Sequence, residues 1–226
     1  MLISIVIPTL NESACIEHTL TALQIQEQPF EIIVADGGSA DDTCNKAGMY
    51  ARVIPTQRGR ASQMNAGAAD ARGDVLLFLH ADTHLPPNAL HLIRQAVADN
   101  AVAGNFRLKF DTSSPLLSTY SFFTRFQFPR FSFGDRSLFV QTELFEHIGG
   151  FASIPIFEDL DLVSRLTKKG EFAYLHAYVV TAARRFEKNG LAKQQLLNAY
   201  LWIRYLLGTP PAKLAHHYTY EISSPE

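Results

Sequence analysis

The chain has 226 residues, of which 47% are hydrophobic and 19% charged, enough apolar material for one large α/β domain and too much for a disordered chain. A formal net charge of -2 argues against nucleic acid as the main partner, because phosphate recognition needs a basic face. The two cysteines, Cys15 and Cys44, sit in no CxxC or Cys/His cluster, which excludes a disulfide framework or structural zinc and leaves them as buried thiols on helices.

Leu2–Ile7 is an unbroken apolar run closed by Pro8, the pattern of a strand covered on both faces. No basic segment precedes it, so it reads as a strand and not as a signal peptide. Ile16, Leu20 and Leu23 then share one helical face. Glu31–Ala35 is a second strand, followed by the turn Asp36-Gly37-Gly38-Ser39 and a helix whose start is marked by Ser39 and Asp42, an S-x-x-D capping pattern. Arg52–Ile54 is a short third strand, Ala61–Ala71 a helix of small residues, Val75–Leu79 a fourth buried strand, and Asn88–Ala98 another helix. Strands separated by helices imply parallel pairing with right-handed crossovers. Open sheets of that kind take ligands beyond the carboxyl ends of their strands. Pro8–Glu12, Asp36–Ser39, Gln57–Arg60 and His80–Asp82 are thereby expected to line one crevice.

The second half reads differently. Asn105–Phe110 alternates, with Phe106, Leu108 and Phe110 facing one way and Asn105, Arg107 and Lys109 the other. Tyr120–Phe139 is rich in aromatics with interspersed arginines, among them Arg136. Thr142–Ile148 is a short helix closed by Gly149-Gly150, Glu158–Lys168 a helix, Phe172–Val180 a strand, and Leu191–Leu207 an amphipathic helix. No apolar run approaches the ~20 residues that span a bilayer, so a cytoplasmic location is the default.

Several residues carry two readings. Asp36 either closes a tight turn with Ser39 or accepts hydrogen bonds from a nucleobase edge. Glu12 is either a first-turn carboxylate favoured by the helix dipole or a nucleotide contact. A buried strand running directly into His80-Ala81-Asp82 places a carboxylate at the mouth of the crevice. One carboxylate with diphosphate oxygens suits Mg²⁺ or Mn²⁺, while the plainer reading is a turn cap before Pro86. His80 divides evenly between a structural residue and a ligand. Glu158 and Asp159 open a helix, where acids are ordinarily dipole partners; the competing reading is a general base that takes the proton of an attacking hydroxyl, with Asp161 an alternative positioning residue on the same turn.

Taken in order, these segments resemble glycosyltransferase family two, whose members have the GT-A fold. Ser4–Glu12 is similar to the opening strand and loop of that family, Val34–Thr43 to its second strand and uridine-contacting turn, and Arg58–Gly67 to the segment leading into its third helix. Phe78-Leu79-His80-Ala81-Asp82 stands where the family has its Asp-x-Asp metal motif, with His80 in place of the first aspartate, as in short bacterial members. Gly149-Gly150-Phe151 followed by Glu158-Asp159 resembles the acceptor loop and catalytic-base signature, and Arg184-Arg185-Phe186 a late basic–aromatic segment.

The resemblance implies an α/β fold with a mostly parallel central sheet, flanking helices and a C-terminal helical appendage. It divides the single domain into a nucleotide-sugar-binding half (1–104), an acceptor half (105–188) and the appendage (189–226). It implies an inverting transfer from a nucleotide-diphosphate sugar, UDP-linked by the likeness at Asp36, to an unidentified hydroxyl acceptor. Pro8, Glu12, Asp36, Arg58 and Ala81 would contact the nucleotide, Asp82 would hold Mg²⁺ or Mn²⁺, and Asp159 would be the base. Glu158, His80 and Arg185 would touch acceptor or diphosphate. The aromatic stretch is core packing with a few surface arginines, an apolar acceptor groove or a surface resting on lipid at the inner membrane face. The Leu191–Leu207 helix is expected to dock or to form a homodimer face. Two other classes remain: a non-catalytic binding or scaffold protein of the same fold, and a sugar-1-phosphate nucleotidyltransferase, against which the absence of glycine in Pro8–Glu12 speaks.

Overall fold

Strand β1 (Ile3–Thr9) has no face for water. Ile3, Ile5 and Ile7 enter one apolar cluster and Val6 the other, as the two-residue period of a strand requires. In this computed structural model, which describes residues 1–112, 114–123 and 136–217 (the side chains of Tyr120, Phe123 and Arg185 excepted), helices cover both sides of the sheet. On the first face lie α1 (Ile16–Leu23) and α4 (Ala89–Ala98), through Ile16, Leu20, Leu90 and Ile93. On the second lie α3 (Arg60–Ala69), α6 (Thr142–His147) and α7 (Glu158–Leu166), through Met64, Phe145, Leu162 and Leu166. Helix α3 approaches β1 so closely that a Cβ at Gly67 would overlap the Val6 side chain, which explains the small residues read from the sequence.

The sheet has eight strands in the order β3-β2-β1-β4-β7-β6-β8-β5. β3 (Arg52–Pro55), β2 (Phe30–Asp36), β1 and β4 (Val75–Phe78) are mutually parallel, as expected. Thr9 pairs with Asp36, so the first two strands end at one level. The other four strands mix directions. β7 (Phe139–Gln141) lies antiparallel between β4 and β6 (Ala101–Phe110). β8 (Glu171–Thr181) runs parallel to β6, and β5 (Thr83–His84) is antiparallel to the end of β8. The 104/105 division thus falls inside β6, within one continuous sheet.

The structure corrects four local expectations. Asn105 is buried along with Phe106 and Leu108, because β6 is an interior strand covered on both faces. Arg136 is no surface residue: it is 1% exposed and its Nε donates to the Phe106 carbonyl at 2.8 Å. The S-x-x-D cap does not form. The Ser39 hydroxyl is turned to Asp36, and helix α2 (Thr43–Ala47) starts later, with the Asp41 carboxylate accepting from the Thr43 amide at 3.0 Å. The cysteines are half-buried rather than core, with Cys15 just ahead of α1.

Three helices were not anticipated: α5 (Pro115–Phe123), α8 (Arg184–Asn189) and α10 (Pro211–Ala215). Of the aromatic stretch, residues 124–135 lie outside the described residues; Phe139 is core and Phe122 half exposed. Helix α9 (Leu191–Leu206) docks through Leu201, which packs with Ile156 and with Leu214 of α10, while Leu196, Ile203 and Leu207 stay at the surface. Among the described residues, no helix is long and apolar enough to cross a membrane.

Candidate active site

The loops after β1 and β2 are stitched into one unit. Asn11 exchanges hydrogen bonds with the β2 loop: its amide donates to Ser39 Oγ (2.9 Å) and its Oδ1 accepts from the Ala40 amide (2.8 Å). The Glu12 amide donates to Thr43 Oγ1 (2.8 Å) and the Ser13 amide to Asp41 (3.1 Å). Below them the buried Gln63 of α3 donates from one amide nitrogen to the carbonyls of Thr9 (2.7 Å) and Ala35 (2.9 Å), clasping the two strand ends.

Asp36 sits on this clasp, 4% exposed. One carboxylate oxygen accepts from the hydroxyls of Thr9 (3.0 Å) and Ser39 (2.5 Å), the other from the amides of Gly38 (2.9 Å) and Ser39 (2.8 Å). Burial pushes its pKa up, but these donors together outweigh burial and hold it below its ordinary value. A carboxylate offers about four acceptor positions, so the turn itself fills them. Arg58, exposed on the loop after β3, is not part of this network as described.

The His80–Asp82 segment touches two groups of side chains, one through His80 and one through Asp82. Pro8, Arg60, His80, Glu158 and Asp159 line a cavity whose apolar wall includes Phe78 and Phe151. Glu158 is 2% exposed, and its Oε1 has no hydrogen-bond partner among the described residues; Arg60 Nη1 stands 3.6 Å away as an ion-pair partner. A buried carboxylate oxygen without a protein donor is costly, so this one calls for a partner such as a ligand hydroxyl, an ion or a water. Asp159 follows it on the first turn of α7, with Oδ1 accepting from the Leu160 amide (2.8 Å). Phe157, just before them, has φ 64°, a left-handed conformation rare for a bulky residue, and its ring meets that of Tyr205 on α9 at 4.7 Å. Burial raises the Tyr205 pKa, with Asp161 and Asp159 adding to it, so α9 reaches the first turn of α7. The Gly149–Phe151 turn is fixed by Asn65, which both donates to the Phe151 carbonyl and accepts from its amide at 2.9 Å, and by Arg165, which donates to the Gly150 carbonyl (2.7 Å).

At the Asp82 end of the segment, Asp82 and Glu12 share one arginine. Arg184 Nη2 donates to Asp82 Oδ2 (2.8 Å) and Glu12 Oε2 (2.9 Å). Burial lowers the Arg184 pKa, but the two carboxylates more than compensate and the guanidinium is held charged. Cys15 Sγ donates to Glu12 Oε2 (3.2 Å), and its thiol is pushed up to about 12 by burial and then by Glu12, so it is no nucleophile. His84, after Asp82, is lowered by burial and by His18, whose ring centroid lies 4.6 Å away. The Ala81 carbonyl accepts from Thr19 Oγ1 (2.6 Å), which fixes the segment from behind.

Of the residues read from the sequence, Pro8, His80, Glu158 and Asp159 line the cavity, Glu12 and Asp82 share Arg184, and Asp36 is held within its own turn. Arg60, rather than Arg58, faces the cavity, and Arg184 is the arginine that turns to Asp82; the side chain of Arg185 lies outside the described residues. Neighbouring residues on a helix diverge by about 100°, and no local signal says which of two adjacent arginines points inward. As a donor set, Asp82 and Glu12 fit a hard divalent cation completed by diphosphate oxygens, since both already face one positive centre. Among the described residues no three His, Cys, Asp or Glu side chains cluster tightly enough to cage a metal alone.

A parallel β-α-β half whose strand ends carry two carboxylate groups, joined to a mixed half that supplies a further acidic pair, is the layout of a GT-A glycosyltransferase fold. Its solved counterparts include S. aureus TarS in complex with UDP-GlcNAc (TM-score 0.65, 18% identity, 80% of this chain and 58% of that one). Another is glucosyl-3-phosphoglycerate synthase from Mycobacterium tuberculosis in complex with Mn²⁺, UDP and glucosyl-3-phosphoglycerate (TM-score 0.61, 18% identity, 92% of this chain and 80% of that one). The family model for glycosyl transferase family 2 matches residues 4–156, and the chain belongs to that family. A curated relative, the undecaprenyl-phosphate 4-deoxy-4-formamido-L-arabinose transferase of Yersinia enterocolitica, is 31% identical over 119 residues, 46% of this chain and 36% of its own. The chain thus spans about a third of the length of the curated relatives it matches.

Proposed function

We propose that this protein transfers a sugar from a nucleotide-diphosphate donor, UDP-linked by preference, to a hydroxyl acceptor with inversion at the anomeric carbon. The observation that carries the reading is that the short His80–Asp82 segment touches two acidic groups: His80 lines a cavity with Glu158 and Asp159, and Asp82 shares Arg184 with Glu12. Family membership and the nucleotide-sugar complexes of the fold relatives support it.

In this reading Pro8, Ala81 and the Asp36 turn form the seat of the nucleoside. Asp36 acts mainly by shaping that turn, since a base N–H must share an oxygen already occupied by Thr9, Gly38 or Ser39. Arg58 would approach the base or the diphosphate, and Arg185 the diphosphate. Asp82, with Glu12, would hold Mg²⁺ or Mn²⁺, which when bound offsets charge developing on the departing diphosphate. Asp159 takes the acceptor proton as the acceptor oxygen bonds to the anomeric carbon and the bond to the diphosphate breaks. Glu158, desolvated and short of a donor, accepts a hydrogen bond from a hydroxyl of the bound sugar or acceptor while His80 lines the same cavity.

The test is Asp159→Asn. Transfer to acceptor is expected to fall by ~10²–10⁴-fold while donor binding, followed by calorimetry, persists. Unchanged turnover would remove Asp159 from the reaction.

A further inference from the structure

Arg184 is delivered to Asp82 by the backbone rather than by a wandering side chain. β8 ends in its pairing with β5, where the hydroxyls of Thr83 and Thr181 are 2.9 Å apart. The next amide, of Ala182, donates to the carbonyl of Asp82 itself (3.2 Å), and that of Ala183 to Asp111 Oδ1 (2.9 Å). Ala183 and Phe186 are buried with Leu117, and the Phe186 ring abuts Phe110 at 5.3 Å. Residue 184 is thus pinned on both sides, with the side chain 48% exposed and able to pivot. Its Nη2 stands between carboxylates from two different loops, at 2.8 and 2.9 Å.

A divalent ion bound to Asp82 would lie roughly 2.1 Å from a carboxylate oxygen. With Asp82 Oδ2 and Glu12 Oε2 already turned to one nitrogen, an ion placed between them would put two positive centres in contact. We infer that Arg184 and a divalent cation are alternative occupants of the gap between Glu12 and Asp82, and that the donor diphosphate draws the guanidinium away and lets the ion in. The second half of this inference rests on the nucleotide-sugar reading above. A guanidinium binds phosphate oxygens in a bidentate fork, so a diphosphate offers Arg184 a better partner than one bond to each of two carboxylates. Arg184 is then a latch: it keeps the acidic gap neutralised before the donor arrives, so that metal and nucleotide enter together.

The experiment titrates the 226-residue chain with Mn²⁺ alone, and again with UDP present, by calorimetry. Arg184→Gln should bind Mn²⁺ alone roughly three- to tenfold more tightly than wild type, the range one or two half-exposed ion pairs supply. Arg184→Lys, which keeps the cation, should stay within about twofold of wild type. UDP should tighten Mn²⁺ binding more in wild type than in Arg184→Gln and bring the two together. Equal or weaker Mn²⁺ binding by Arg184→Gln would overturn the latch, as would a gain that survives the added Asp82→Asn change. A gain in Arg184→Gln with no response of either protein to UDP would overturn release by diphosphate, and the nucleotide-sugar reading with it, while the competition at Asp82 stands.

Discussion

The two sides of the crevice are built on opposite principles. Around Asp36 every acceptor is used: the carboxylate takes four hydrogen bonds, and Gln63 ties the strand ends beneath it. Around Glu158 a carboxylate oxygen is buried without a hydrogen-bond donor among the described residues, and the Arg60 guanidinium stands 3.6 Å away. The first arrangement stabilises a shape in the absence of ligand. The second stores an unmet demand that a ligand can satisfy. The two regions can therefore be told apart by hydrogen-bond satisfaction alone, before any substrate is named.

Breaking the satisfied side should be felt first as lost stability. Gln63→Ala removes the side-chain donor shared by the carbonyls of Thr9 and Ala35, leaving Thr9 the Gly37 amide, and unfolding free energy measured in denaturant should fall by roughly 1–3 kcal/mol. An unchanged midpoint would show that water replaces the clasp. Breaking the unsatisfied side should do the reverse. Glu158→Gln removes a buried charge whose partner Arg60 is 36% exposed and can rehydrate, so the melting temperature should hold or rise. Transfer should nonetheless fall roughly 10- to 100-fold, the worth of one hydrogen bond to a charged group. A variant that melts early and keeps its rate would place Glu158 among structural residues.

The smallest effect is in acid. Hydrogen-bond donors hold Asp36 and Glu31 below their ordinary values and Asp41 at about 2, although burial opposes this at each. Depressed carboxylates bind fewer protons in the folded than in the unfolded chain, so their contribution is complete above the ordinary values of 3.8 and 4.5 and is lost as pH falls toward about 2. Denaturant midpoints should drop across that window, and Asp41→Asn should flatten the drop modestly because Asp41 is exposed. An equally steep drop in Asp41→Asn would assign the acid sensitivity elsewhere.

The parallel half was legible because its signals are local. Apolar runs such as Leu2–Ile7 and Val75–Leu79 state their burial directly, and the strand-end rule then places Glu12, Asp36 and Asp82 together. β7 was not legible, since a three-residue strand has no period to read and exists by insertion between β4 and β6. The same applies to Asn105 and Arg136, whose burial follows from that insertion. At the site, residue types were readable and partners were not. Asp36 was identified as either turn or contact, but only the fold reveals how many donors surround it. The arginine pair was noticed, yet which member faces Asp82 depends on where β8 ends against β5.

One further consequence follows from the contact between Phe157 and Tyr205. The acidic pair of α7 begins immediately after a backbone bend that a phenylalanine ordinarily avoids, and α9, far along the chain, leans on that bend from outside the sheet. Should the tail peel off, the bend is free to relax into an ordinary conformation and re-aim Asp159. Heating would then extinguish turnover while far-UV dichroism still registered an intact sheet, so the temperature at which catalysis dies would report the grip of the last helices rather than the melting of the whole.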